Sequence, residues 1–193
     1  MIIILTGVPG TGKSALAAAL ARKLKCQLIT ANDIVNEKKL WKGKDKFGTK
    51  IVKMSELRRE LGRVIRGARA RKIGLILEGH LLCEFPLACD FIIITRAHPE
   101  ILGRRLKARG YPAEKIRENA LAEALDYATQ LALKNNKRAR IYEVDAGRPL
   151  KRTRAEILKI LSGKNEKLRA GWVNWSEFLY ERRMKYLNRL GAN

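Results

Sequence analysis

The chain is short of acids. It carries 19 Asp and Glu against 41 Lys and Arg, a formal charge of +22 over 193 residues. An enzyme that handles only small anions needs no such excess, so the balance points to a polyanionic partner, most simply a nucleic acid. A solvated lysine-rich surface, as in proteins from hot environments, is the alternative. Residues 36–72 hold fourteen basic residues against four acids, and residues 146–193 hold twelve against four. Clustering in two blocks favours a functional patch over an even coat. Cysteine is scarce as well. Cys26, Cys83 and Cys89 are odd in number and lack C-x-x-C spacing, which excludes a fully paired disulfide frame and a zinc ribbon. They read as reduced thiols in a cytoplasmic protein, or a nuclear one in a eukaryote. No apolar run reaches the ~20 residues of a membrane span. The apolar first residues lack a basic leader and a small-residue cleavage site, and read as a strand rather than a signal peptide.

The most informative segment comes directly after that apolar start. Gly7-Val8-Pro9-Gly10-Thr11-Gly12-Lys13-Ser14 fits G-x-x-x-x-G-K-[ST], the phosphate-binding P-loop. It is preceded by a short apolar run, residues 2–5, suited to a buried parallel strand, and followed by an Ala/Leu-rich helical pattern over 15–24. Strand, glycine loop and helix in that order surround an anion with backbone N–H groups and a helix N-terminus. Lys13 would reach the terminal phosphates of a nucleoside triphosphate, and the Ser14 hydroxyl would bind magnesium.

Further apolar strands are expected at 27–30, 74–77, 91–95 and 141–144, with helical patterns between them. Alternation of this kind means an α/β domain, a three-layer sandwich around a five-stranded parallel sheet. Ligands of such sheets sit beyond the C-terminal strand ends, where the P-loop lies. Asn32 or Asp33 is a candidate cap for a short helix. Residues 40–53 read as a mobile basic loop. Ser55 is a candidate N-cap for a helix to Arg71, with Leu57, Leu61, Val64, Ile65 and Ala68 on one face. Pro99 suits the first turn of a helix to Arg109, with His98 a cap or an exposed residue. One long helix is expected over 113–133, and Thr153-Arg154-Ala155-Glu156 reads as a capping box. Residues 162–165 look like a linker. Beyond it Trp172, Trp175, Phe178, Leu179, Arg182, Tyr186 and Leu190 fall at helical spacing, a basic aromatic helix that either docks on the domain or offers a surface to RNA or a protein.

Glu78 closes the strand Leu75-Ile76-Leu77, where a P-loop protein keeps a magnesium carboxylate. His80, two residues on, is either a structural histidine or a neutral imidazole that handles an attacking water. Arg104, Arg105 and Arg109 share one short helix. They read as a solvated basic face or as a lid that brings guanidinium charge to a moving phosphoryl group.

GVPGTGKS, the acid-x-His after the third strand and RRLKARGY together resemble a small adenylate kinase, nearest to the adenylate kinase isoenzyme 6 or coilin-interacting nuclear ATPase family. The likeness runs from Ile2 to about Leu161 and includes Asp33, Leu40-Trp41-x-Gly43, Lys115-Ile116-x-x-Asn119 and Tyr142-Glu143-Val144-Asp145. It implies an adenylate-kinase-like core over 1–161, a monophosphate region near 30–53 and a short lid near 108–118, with 162–193 as a helical extension. It implies phosphate transfer between ATP and AMP, ATP hydrolysis with Mg2+, and a role in small-subunit ribosome maturation with a platform ribosomal protein and ribosomal RNA as partners, the protein being a monomer or in a transient heterodimer. Carried over, Gly10, Gly12, Lys13, Ser14 and Ala15 bind ATP phosphates and Arg109 contacts ATP. Lys13, His80 and Arg109 are the catalytic candidates, and Ser14 and Glu78 the metal ligands. The chain departs from the family with Glu78 in place of the usual Asp, and with Asn36 where an Arg is usual, so that Lys38 or Lys39 would have to substitute. An assembly factor that uses ATP as a conformational switch is the competing reading.

Overall fold

The computed structural model describes residues 1–181. Five strands, β1 (Ile2–Thr6), β2 (Gln27–Thr30), β5 (Leu75–Glu78), β6 (Phe91–Arg96) and β7 (Arg140–Asp145), form one sheet in the order β2-β5-β1-β6-β7. Every pairing in it is parallel. Alternate residues of β1 feed opposite sides, as the pleat requires. Ile3 and Leu5 meet Leu16, Leu20, Ile157 and Ile160 of the helices α1 (Lys13–Leu24) and α7 (Leu150–Leu161). Ile2 and Ile4 meet α2 (Ala31–Glu37), α3 (Met54–Ala70) and α6 (Tyr127–Asn135) through Ile34, Leu57, Leu61, Ile65 and Ala132. The expected three-layer α/β sandwich is therefore present. Its strands match their sequence-based positions to within a residue or two.

The connections differ more. Thr30 caps α2, accepting from the Asp33 amide at 3.1 Å, so neither Asn32 nor Asp33 does so. The segment read as a mobile loop is a hairpin, β3 (Trp41–Lys44) paired with β4 (Lys50–Val52). Asp45 shapes its turn by accepting from the amides of Phe47 and Thr49, an Asx-type contact available to any Asp near a glycine turn. α3 starts at Met54 with Lys53 in the cap position, which displaces Ser55 from that role. The single long helix is two, α5 (Ala113–Ala124) and α6, because Asp126 takes a left-handed conformation at φ 56° and breaks the ladder. Thr153 lies inside α7, where its hydroxyl donates to the Asp145 carbonyl, and Glu156 accepts from Arg148, so the proposed capping box does not form. α4 (Pro99–Ala108) begins on Pro99 as expected, and the His98 Nδ1 accepts from the Glu100 amide.

One ionic cluster fastens β6 and β7 to α5 and α6. Arg96, at the end of β6, is 1% exposed. Its guanidinium donates to Glu123 at 2.7 Å, to Asp126 at 2.5 Å, to Glu143 and to Thr129. The same carboxylates hold the C-terminal segment. Glu143 accepts from the amides of Gly171 and Val173, its carbonyl accepts from Trp172 Nε1, and Glu123 accepts from Trp175 Nε1. Trp172 and Trp175 thus precede the helical residues 176–181 rather than lying on one amphipathic helix. The segment docks, with His98 edge-on to the rings of Trp175 and Phe178. Arg182, Tyr186 and Leu190 fall outside the described residues. Removing one partner of a buried ionic cluster strands its charges, so Arg96→Met is expected to cost about 3–5 kcal/mol of stability, measured by urea unfolding. A loss under ~1 kcal/mol would mean that the cluster does not hold the fold.

Candidate functional site

β1 ends at Thr6 and the chain turns sharply. Gly7 adopts φ +134°, and a Cβ there would come within 2.5 Å of the Thr95 carbonyl oxygen. Gly10 and Gly12 also sit at positive φ, and Gly12 is the N-cap of α1. These are the positions where only glycine passes without strain. The loop is pinned to the neighbouring strand. The hydroxyls of Thr11 and Thr95 are 2.7 Å apart, both fully buried, and the Thr95 hydroxyl also lies 3.1 Å from the Thr6 carbonyl oxygen. Thr95 has no signature in the sequence beyond its place at the end of an apolar run.

Gly10, Gly12, Lys13, Ser14, Ala15, Glu78, His80 and Arg109, the residues expected to bind phosphate and metal or to act in catalysis, line one cavity of about 210 Å³ with Pro9, Asn32, Gly79 and Tyr111, whereas Arg104 and Arg105 do not. The expected residues come from the loop, the N-terminus of α1, the end of β5 and the C-terminal end of α4. Asn32 and Tyr111 were not foreseen as lining residues, since each read only as local punctuation. Lys13 is buried and donates to the Val8 carbonyl at 2.9 Å. Burial lowers its pKa to about 8, against the pull of Glu78. Burial raises the Glu78 pKa, opposed by Lys13 and by the Ser14 hydroxyl, which donates to Glu78 Oε2 at 3.3 Å. The His80 side chain is open to the cleft, yet desolvation by the groups around it and the charge of Lys13 push its pKa down. Exposure tempers the size of that shift and not its sign, and the imidazole is neutral at pH 7. The Ser14 hydroxyl and the Glu78 carboxylate are hard oxygen donors facing one cavity, a set that fits Mg2+ completed by phosphate oxygens and water.

The region expected to form a lid is held from two sides. Arg105 reaches back from α4 to the Ala146 carbonyl at 3.0 Å, and Leu102 and Leu106 pack on Val8. The hairpin crosses to α5: Lys46 pairs with Glu114 at 2.5 Å, and Lys115 with Asp45 at 3.1 Å and with the Thr49 hydroxyl. Beneath this bridge lies a hollow of about 330 Å³ that shares His80 and Tyr111 with the first cavity. Asn36 accepts from Lys50 at 2.5 Å, and the Lys50 ammonium stands over the Trp41 ring. Lys50 is thus a cation in direct contact with Asn36.

A family model described as an AAA domain matches residues 3–126. A Thermococcus kodakarensis protein named "Putative adenylate kinase" is 35% identical over 97% of this chain and 99% of its own length. A protein of the same name from Pyrococcus furiosus is 36% identical with both chains fully covered. The chain belongs to this family of adenylate-kinase-like P-loop proteins. The likeness does not stop near Leu161, as the sequence motifs alone implied, but includes the C-terminal segment. The fold resembles a deoxyadenosine kinase from M. mycoides with bound dATP (TM-score 0.54, 16% identity, 84% of this chain and all of the other) and a shikimate kinase from Aquifex aeolicus (TM-score 0.53, 17% identity, 84% and 97%).

The two glycine positions separate contact from torsion. At Gly12, φ is +92° but a Cβ would meet nothing within 4 Å. Gly12→Ala is expected to cost about 1–2 kcal/mol from torsion alone. Gly7→Ala, which also collides with Thr95, should cost clearly more in chemical denaturation. Equal losses would show that the Thr95 contact does not constrain the loop.

Proposed function

We propose that the protein transfers a phosphoryl group from ATP to AMP, hydrolyses ATP when water takes the acceptor's place, and acts in maturation of the small ribosomal subunit, with ribosomal RNA or a platform ribosomal protein as partner. The observation that carries the phosphotransfer reading is the convergence of the eight candidate residues on one cavity at the C-terminal end of β1. The relatives' name supports AMP as acceptor. The maturation role rests on the resemblance drawn from the sequence and on the +22 charge.

Each group's role derives from its chemistry. The amides between Gly7 and Ser14 and the N-terminus of α1 cradle the β- and γ-phosphates. Lys13 and Arg109 set positive charge beside the transferred group, where negative charge spreads in the transition state. Ser14 and Glu78 would hold Mg2+, which would supply positive charge to the phosphate groups. Neutral His80, at the border of the two cavities, accepts a proton from the attacking water in the hydrolysis mode. Lys50 supplies the monophosphate region with the cation that Asn36 does not.

Lys13→Met is expected to lower phosphotransfer about a hundredfold or more. Turnover within tenfold of the parent would overturn the site. The pH profile is a second check. In the free enzyme Lys13 carries its proton below a pKa of about 8 and loses it above, and only the charged form neutralises phosphate. kcat/KM should therefore fall as pH rises through about 8, while a bound phosphate, which favours the ammonium, moves the fall in kcat higher. A second reading, an assembly factor switched by ATP with little turnover, is favoured by Asn36 and by the charge excess. ADP release measured with and without AMP separates the two: strong stimulation by AMP supports the kinase, and slow release that only RNA or a ribosomal protein accelerates supports the switch.

A further inference from the structure

The sheet has a second end. Its strands are all parallel, so the loops that lead into β6 and β7 lie at the edge opposite the P-loop. There, and along the outer side of α3, two adjoining hollows of about 480 and 520 Å³ share Arg69, Pro86, Leu87 and Ala88. One is walled by α3 through Arg58, Arg59, Arg66 and Arg69. The other is walled by the segment between α6 and β7 through Lys134, Lys137 and Arg138. Neither is lined by a single Asp or Glu.

All seven cationic residues are exposed. Arg69 is a tie rather than a free charge, since it donates to the Ala88 carbonyl at 3.2 Å and to Asp90 at 3.4 Å, and Arg59 lies 4.0 Å from Glu60. Among the described residues, Arg58, Arg66, Lys134, Lys137 and Arg138 have no hydrogen-bond or ion-pair partner. The walls themselves are fixed. Asn136 is buried and accepts from the Leu87 amide at 3.0 Å, and Asn135 donates to the Cys83 carbonyl at 2.9 Å. These two bonds lock the loop before β6 to the end of α6. A like-charged wall held this way repels itself until an anion enters it.

We propose that this groove binds the phosphodiester backbone of a nucleic acid, independently of the nucleotide site. The polyanion reading of the charge is the one part of the proposed function on which this rests. The arginines of α3 offer forked donors that match phosphate oxygens. From Arg58 to Arg69 the helix rises about 16 Å, which spans several successive phosphates. The lining has no aromatic ring on which a base could stack. Contact to the backbone without base readout, and hence little sequence preference, is what such a surface provides. An acidic polypeptide is the competing occupant.

The test is titration of the full chain with a fluorescent single-stranded RNA, a DNA of the same sequence and polyglutamate, across a range of salt. Arg58→Ala/Arg66→Ala/Lys137→Ala/Arg138→Ala removes four groove charges. Lys23→Ala/Lys25→Ala/Lys151→Ala/Lys164→Ala removes four exposed charges elsewhere. Retained Mg·ATP turnover confirms that both variants fold. The groove variant should bind RNA and DNA at least about tenfold more weakly, with a shallower salt dependence by about 0.7 per lost contact, and the second variant should bind within about threefold of the parent. Equal weakening in both variants would sink the groove and leave diffuse charge as the cause. No binding of either nucleic acid by the parent would sink the polyanion reading too, without touching the kinase reading. Tighter binding of polyglutamate than of RNA would assign the groove to a protein.

Discussion

The phosphate loop keeps its shape because β1 and β6 leave no room for anything else. Where the chain leaves β1, Gly7 lies so close to the Thr95 backbone that one added carbon would clash. Four residues on, Thr11 is tied to the Thr95 hydroxyl inside a dry environment, where a satisfied hydrogen bond is firm and an unsatisfied one costly. Leu102 and Leu106 close the outer side over Val8, and a Cβ at Gly10 would come within 3.0 Å of Leu106. The amides of the loop are therefore aimed before any ligand arrives. Preorganised dipoles are what make such a cage effective at a site of developing charge.

The same strand carries a second constraint at its next residue. Thr95 pins the loop, and Arg96 gathers Glu123, Asp126 and Glu143 beneath it. Glu123 is near the end of α5, whose first turn is bridged to the hairpin by Lys46 and Lys115. The C-terminal segment shares the Arg96 carboxylates and packs Trp175 and Phe178 on His98, the cap of the helix that ends at Arg109. The helices α4 and α5, the ends of β6 and β7 and the C-terminal segment are thus coupled through one buried guanidinium and its carboxylates. Breaking that point is costly, because an uncompensated buried carboxylate costs several kcal/mol.

Much of this was legible in the sequence, for reasons that differ by element. The strands were, because five short apolar runs bounded by polar residues admit little else in a parallel sheet. The P-loop and the Glu78–His80 pair were, because phosphate chemistry demands particular residue types at fixed spacing. The hairpin at Trp41–Lys44 and Lys50–Val52 was not. Its sequence shows no apolar alternation, and what fixes it is a turn built on Asp45 and salt bridges to a helix some seventy residues away. The break at Asp126 was hidden because the apolar period runs through it, and only the pull of Arg96 explains a left-handed aspartate there. Trp172 and Trp175 had helical spacing by coincidence. Their indole N–H groups each needed a buried acceptor, and they found Glu143 and Glu123.

The charge excess takes on a direction once the acids are located. Few as they are, many of the carboxylates are engaged at the core or around the cleft: Glu78 under the phosphate loop, Glu123, Asp126 and Glu143 around Arg96, Asp45 and Glu114 across the lid, and Asp145 and Glu156 on Arg148. At the cleft, lysines and carboxylates alternate, as suits a site that must admit, neutralise and release small anions. At the far edge of the sheet the carboxylates thin out and, among the described residues, Arg58, Arg66 and Arg138 have no ion-pair partner. A chain that needed charge only for solubility would lose stability by crowding like charges along one helix. Segregation of this kind leaves the two ends of the sheet with different electrostatic tasks. One grips a small, highly charged nucleotide inside a closed cage. The other presents open cations to something longer, along α3 and the loops that lead into β6 and β7.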